Sequence, residues 1–324
     1  MRLLFIAATA TAFSLGLCAG VGYTAEPRYP ERPVRLVVPF PPGGANDIVA
    51  RLIGQQLQEK WGQPVIVDNR PGAGGNIGTA VAARATPDGY TMLIGSGSTL
   101  GSNVGLYAKL PFDVVEDFKP ITLLVTAPFV LCVTSSVPAK SVKDLIQLAK
   151  KERLNFSSWG DGSSAHLITE MFKSMAGVEM LHVPYKGGAP ALVAAITGEV
   201  QVTFSNISVA LPQVKAGKLR GLGVTSKKRA IALPELPAIA EAGLPNFEAT
   251  AWVGVVAPAG VPSPLIQRIN RDLRSAIAGQ EMQKNILARG FEPVGTTPEE
   301  FGRHIRAEIQ RWKKVIAEAG IQKR

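Results

Sequence analysis

Cysteine and histidine are nearly absent from this chain. Among its 324 residues the only cysteines are Cys18 and Cys132, and the only histidines are His166, His182 and His304. Two cysteines, one of them in a leader, leave no intramolecular disulfide framework, so stability must come from a hydrophobic core. No two histidines stand at a spacing that ligates a metal, so no metal and no cofactor is expected. A phosphate-binding Gly-Lys-Ser/Thr run and a Gly-x-Ser-x-Gly nucleophile elbow are both missing. Aromatic residues make up 6% of the chain and do not interleave with its basic residues. The net charge of +10 therefore reads as a solvated basic surface that attracts small anions, not as a nucleic-acid face.

Long apolar runs are confined to the start. Met1 and Arg2 precede an uncharged stretch from Leu3 to Gly22, with small residues at Ala19, Gly20, Gly22 and Ala25 before Glu26 and Pro27. That order is the secretory signal pattern, giving a signal peptide over residues 1–25 and a mature protein in the periplasm. A single membrane anchor is the competing reading, which the Gly and Thr residues in the second half of the run disfavour. Leu17 is too large to precede a lipid-modified Cys18. Nothing after residue 26 is long and apolar enough to span a bilayer.

The remaining chain alternates short β-branched runs with amphipathic segments, the mark of an α/β fold. Strands are expected at Val34–Pro39, Val65–Asp68, Thr91–Gly95, Phe129–Thr134, Asn155–Ser158, Val200–Ser205, Leu219–Thr225 and Trp252–Ala257. Most are continuously apolar, as in sheets covered on both faces. Asn46 is expected to cap a helix that stops at Gly62, and Ser141 with Asp144 to open another. Ser263-Pro264 and Thr297-Pro298-Glu299-Glu300 open the last helices. Without a linker, two lobes must be joined by strand crossings, expected at Thr122–Phe129 and Phe247–Trp252. This gives lobe 1 as 26–126 plus 250–324, with lobe 2 (127–249) inserted in it.

Four strand-to-helix junctions are rich in glycine: Phe40–Asp47, Gly72–Asn76, Trp159–His166 and Tyr185–Gly188. Glycine lets a ligand approach backbone N–H groups, and the helix that follows leaves its first N–H groups unpaired. Several such ends facing one cleft make an anion site without Lys or Arg. Gly72-x-Gly74-x-x-x-Gly78 imitates a dinucleotide fingerprint, but no acid near Ser98 is placed to hold a ribose. His166, in a Gly/Ser loop at a helix start, suits a neutral hydrogen-bonding role. Only Asp161 offers Ser163 or Ser164 an orienting acid, which argues against a triad. His182 reads as a core or rim residue and His304 as solvent-facing. Asp47 is a helix-dipole partner, or a group selecting ligand amino or hydroxyl donors if it faces the cleft.

Several motifs resemble the tripartite tricarboxylate transporter receptors, the Bug-type solute-binding proteins. They are Tyr29–Arg35 with Val38–Gly44, Asp68–Gly75, Pro87–Thr91, Leu110–Asp113 with Asp117-Phe118, His182–Gly187, Val224–Ser226 and Ala257–Gly260. Together they span nearly the whole mature chain in the family's order. Ala238 stands where the family commonly has Thr. The resemblance implies a type II periplasmic-binding-protein fold, two α/β lobes with a ligand cleft between them. It also implies a carboxylate held by backbone amides, hydroxyls and water, and delivery to the membrane permease subunits of a tripartite transporter. Candidate ligand contacts are Phe40, Pro41, Gly43, Gly44, Asn46, Asp47, Gly74, Gly75, Asn76, Ser96 and Thr99 from one lobe. Ser163, Ser164, His166, Tyr185, Gly188, Ser205 and Asn206 are the candidates from the other. The expected protein is a monomeric receptor for a small carboxylate (an organic acid, aromatic acid or amino acid) and not an enzyme. Its competitors are a periplasmic ligand sensor for a signalling partner and an α/β enzyme acting on a carboxylate.

Overall fold

The computed structural model describes residues 29–324. The expected signal peptide lies outside the described residues. Two sheets share one strand, β4, which runs unbroken from Phe118 to Thr134. The first sheet follows the order β2 (Val65–Asn69), β1 (Val34–Val38), β3 (Thr91–Ser96), β9 (Thr250–Pro258) and the first part of β4. β1, β2 and β3 are parallel, and β9 runs antiparallel to both β3 and β4. In the second sheet, the last part of β4 lies between β8 (Leu219–Val224) and β7 (Val202–Asn206). Beyond β7 come β5 (Leu154–Ser158) and β6 (Met180–Pro184), all three parallel.

β4 is longer than the expected Phe129–Thr134 because its first half carries the features that disguise a strand. Pro120 and Pro128 donate no ladder hydrogen bond, and the register with β9 shifts between Pro120 and Thr122 and between Leu123 and Val125. The other overlooked strands are β6, hidden by His182 and Pro184, and the two-residue β10 (Glu292–Pro293), which pairs with β4.

Helices cover both faces of each sheet. α1 (Ala45–Trp61) and α8 (Ser263–Ala278) pack with Leu36, Ile53, Met92 and Leu273 on one face of the first sheet. Its other face meets α2 (Asn76–Ala83) and the start of α10 (Pro298–Glu318), through Ala80, Leu93, Phe301 and Ile305. The second sheet lies between α4 (Val142–Ala149) with α5 (Ser164–Ala176), and α6 (Gly188–Thr197) with α7 (Ile207–Lys215). α10 does not stay with the first sheet: Trp312, Val315 and Ile316 join the second-sheet core beside Phe129 and Phe172.

The capping expectations divide. Gly62 ends α1 in the left-handed region, Ser141 accepts from the Asp144 N–H, and Thr297 with Glu300 forms a complete capping box. Asn46, however, does not cap α1. Gly44 occupies that position without a side-chain bond, and Asn46 lies inside the helix, buried, with its amide on the Ile94 carbonyl. α8 opens one residue earlier than expected, with Pro262 as its cap. His304 is not solvent-facing either: its ring packs edge-on against Trp252, 5.1 Å between centroids, because it lies on the side of α10 that meets β9.

The two crossings between the sheets are tied together by Thr225. Its hydroxyl accepts from the Phe129 N–H at 2.8 Å and its N–H donates to the Phe129 carbonyl. Its own carbonyl accepts from the Ala249 N–H at 3.0 Å. Thr225→Ala leaves the buried Phe129 N–H without a partner and should lower the unfolding free energy by about 1–3 kcal/mol, read from urea denaturation. An unchanged midpoint would show that the hydroxyl is not needed at the crossing.

Candidate functional site

The first glycine loop is fixed from below by a buried carboxylate. Asp47, 3% exposed, accepts from the Gly43 N–H at 2.9 Å, from Arg51 and from the Asn69 amide. Asn69 also donates to the Phe40 carbonyl, so the same pair holds both ends of the loop. Burial pushes the Asp47 carboxyl up, but Arg51, the Gly43 N–H and Asn69 outweigh it and hold it below the ordinary value. Both Asp47 oxygens are thus engaged inside the loop.

The second loop is braced from α3 (Asn103–Leu106) and its neighbour Tyr107. Asn103 donates to the Gly74 carbonyl and to Asn76 Oδ1, and the Tyr107 hydroxyl donates to the Ala73 carbonyl. Gly75 has φ +93°, and a β-carbon there would lie 2.5 Å from Thr99 Cγ2, so this position needs glycine. Gly44 is different. Its φ is −79° and the nearest atom to a β-carbon would be 3.7 Å away, so glycine at 44 is not required by the fold itself. Thr99 accepts from the Ser96 N–H at 3.0 Å, closing the turn that follows β3.

The third loop rests on two stacked imidazoles. His166 and His182 lie 3.8 Å apart between ring centroids with a 17° interplanar angle, and the Phe156 ring lies 4.9 Å from His182 and 6.2 Å from His166. His166 Nδ1 accepts from the Gly162 N–H at 3.0 Å, and Ser158 Oγ lies 2.6 Å from His182 Nε2. Ser163 caps α5 through the His166 N–H. Ligand atoms of Asp161, His166 and His182 come within 4.8 Å of one another, a grouping the sequence spacing conceals. His166 Nδ1 is already an acceptor for the loop through the Gly162 N–H, so the cluster helps to hold the loop. In the fourth loop Gly187 has φ +113°, and the Tyr185 hydroxyl donates to Glu199, turned away from the other loops.

A cavity of about 160 Å³ lies between the sheets, where the β4–β9 ladder ends. Phe40, Asn46, Ser96 and Ser164 line it, together with Phe129, Trp252, Phe291, Glu308 and Trp312, which the sequence reading did not single out. The remaining candidates, including Gly74, Gly75, Asn76, Thr99, His166, Tyr185, Ser205 and Asn206, do not line it. Among the described residues, no Lys or Arg lines the cavity. Glu308, 2% exposed, accepts from the Trp252 and Trp312 indoles at 3.0 Å each and from Arg311 at 2.7 Å. One signal for it existed in the sequence: an acid in the inward stripe Phe301, Ile305, Glu308, Trp312. Wider grooves of about 390 and 440 Å³ lie on the outer surface, between α5 and α10 and beside α8, away from the glycine loops.

Residues 49–321 match the family described as tripartite tricarboxylate transporter family receptors. Protein BugT of Bordetella pertussis is 38% identical, the match covering 91% of each chain. Two solved structures are also similar. The R. palustris protein Rpa4515, solved with adipate, is 40% identical, covers 91% of this chain and all of its own, and has a TM-score of 0.77. The periplasmic binding protein BugD is 33% identical, covers 91% of this chain and all of its own, and has a TM-score of 0.73.

The histidine stack makes stability depend on pH. Burial and the neighbouring His182, partly opposed by Asp161, push His166 down to about 4. Below its ordinary value near 6.5 the unfolded chain takes up a proton that the folded chain refuses. Stability is therefore full above pH 6.5 and is lost as the pH falls toward 4, by up to about 3 kcal/mol from this group. Urea midpoints across that window should fall less steeply in His166→Gln than in the wild type. Parallel curves would show that His166 does not titrate with folding.

Proposed function

Because the chain belongs to the tripartite tricarboxylate transporter receptor family, we propose that it is a periplasmic receptor that binds a small carboxylate between its lobes and delivers it to membrane permease subunits. The observation that carries this reading is the interlobe cavity, bordered by helix starts from both lobes. α1 begins at Gly44 with no side-chain cap, so its first N–H groups are open to an anion. α5 begins at Ser164, and its Ser163 cap satisfies only the His166 N–H. A carboxylate held by both helix starts joins the lobes, so binding favours the closed arrangement. Adipate in Rpa4515 supports a carboxylate ligand, and the periplasmic BugD supports export.

The protein turns nothing over in this reading. Burial lowers the basicity of His166 and His182, which are bonded to the loop they support, and the buried acids Asp47 and Glu308 are paired with Arg51 and Arg311. Among the described residues that line the cavity, the one acid, Glu308, is already engaged.

Gly44 provides the test. Gly44→Val has room in the ligand-free fold, yet its side chain stands where an anion approaches the start of α1. The variant should keep the wild-type unfolding midpoint and lose at least about tenfold in carboxylate affinity, whereas Lys186→Ala should bind normally. In the wild type, a carboxylate at a hundred times its dissociation constant adds about 2.7 kcal/mol of stability. Thermal-shift assays over organic acids, aromatic acids and amino acids read both effects. Stabilisation by none of them, or undiminished binding in Gly44→Val, contradicts the proposed site.

A further inference from the structure

The walls of the cavity say more about its ligand than the helix starts do. They combine aromatic rings from both lobes with polar groups, several of which are already engaged. Phe40 enters from the first glycine loop, Phe129 and Trp252 from the β4 and β9 crossings, and Phe291 from the segment before β10. That last segment reaches across the cleft: Gly290 lies against Ile207 and Ser208 of α7. Part of the polar lining is occupied, while among the described residues the hydroxyls of Ser102, Ser164 and Thr250 carry no side-chain hydrogen bond. Asn46 donates to the Ile94 carbonyl, Ser96 is shared with Ser98 and Thr99, and Glu308 is shared by two indoles and Arg311.

Two consequences follow for a bound molecule. An ammonium group would leave water with no free carboxylate to receive it, a desolvation loss that no acid among the described lining residues offsets. A second carboxylate would lie in a cavity that no Lys or Arg among the described residues lines. An uncharged ring, by contrast, meets ring faces and edges. The cavity, of about 160 Å³, has room for one six-membered ring.

We infer that the cavity takes a monocarboxylate carried on a single uncharged ring, of the benzoate class, with the ring against Phe40, Phe129, Trp252 and Phe291. The carboxylate lies at the starts of α1 and α5. This rests on the receptor reading above and narrows its ligand.

Calorimetric titration of the mature protein, freed of bound ligand by unfolding and refolding, compares benzoate with adipate, malate, citrate and glutamate. Benzoate should bind at least about tenfold more tightly than each of the others. Phe40 and Phe291 are only half-buried, so Phe40→Ala and Phe291→Ala should fold as the wild type does and each weaken benzoate about tenfold. Tighter or equal binding of adipate, malate, citrate or glutamate overturns the ring-carboxylate inference and leaves the receptor reading standing. Undiminished benzoate binding in both phenylalanine variants does the same. Silence from every acid in the panel removes the receptor reading together with the inference.

Discussion

One ladder of hydrogen bonds sets the geometry of everything else: the antiparallel pairing of β4 with β9 from Phe118↔Pro258 to Pro128↔Thr250. Both strands leave the first sheet there, and both crossings are held by Thr225, through Phe129 on one side and Ala249 on the other. Thr225 thus ties the two crossings side by side. The cavity lies where the ladder ends, so Phe129, Thr250, Ala251 and Trp252 line it. On the proposed function, a ligand in this cavity touches the residues at which the chain crosses between the sheets.

α10 adds a second restraint. It starts on the first-sheet core at Phe301 and Ile305 and ends in the second-sheet core at Trp312 and Ile316, with Glu308 between them. A carboxylate buried this deeply is stabilising only when its charge is neutralised and its oxygens are filled. Arg311 supplies the charge and the two indoles supply the remaining bonds. The acid in turn fixes the two tryptophans, from β9 and from α10, as cavity walls. Glu308 therefore helps to set where the Trp252 and Trp312 rings stand.

Much of the fold could be read from the sequence because its strands are continuous apolar runs and its turns are marked by glycine. The parallel strands β1, β2, β3, β5 and β7 all lie within the expected segments or within two residues of them. What escaped was set by long-range contacts. The strand expected to begin at Phe129 begins at Phe118 and takes in Pro120, beside a register shift, and Pro128, paired with Thr250. Asn46 has the chemistry of a cap, but the tight turn at Gly43 places Gly44 at the cap and turns Asn46 inward to the Ile94 carbonyl. His304 sits among charged neighbours in sequence, while its ring faces Trp252. The glycine loops were legible as a group, but not which would border one cavity. That depends on how α1, α5 and β9 meet, and local sequence does not carry it.

The protein's charge and its site divide the work of capturing an anion. The excess of 35 basic over 25 acidic residues spreads a positive field over the surface, and such a field raises the rate at which anions arrive. It falls off within roughly 8 Å at physiological salt and does not distinguish one carboxylate from another. Inside the cavity the balance is reversed: no basic side chain lines it, and the one acid that does is already neutralised. A lysine there would bind any anion strongly through charge alone and hide differences in the rest of the molecule. Backbone N–H groups at helix starts hold a carboxylate more weakly and only in a defined place. On the proposed function, the remaining binding energy comes from contacts with the body of the ligand, and the aromatic wall distinguishes acids that the surface field treats alike.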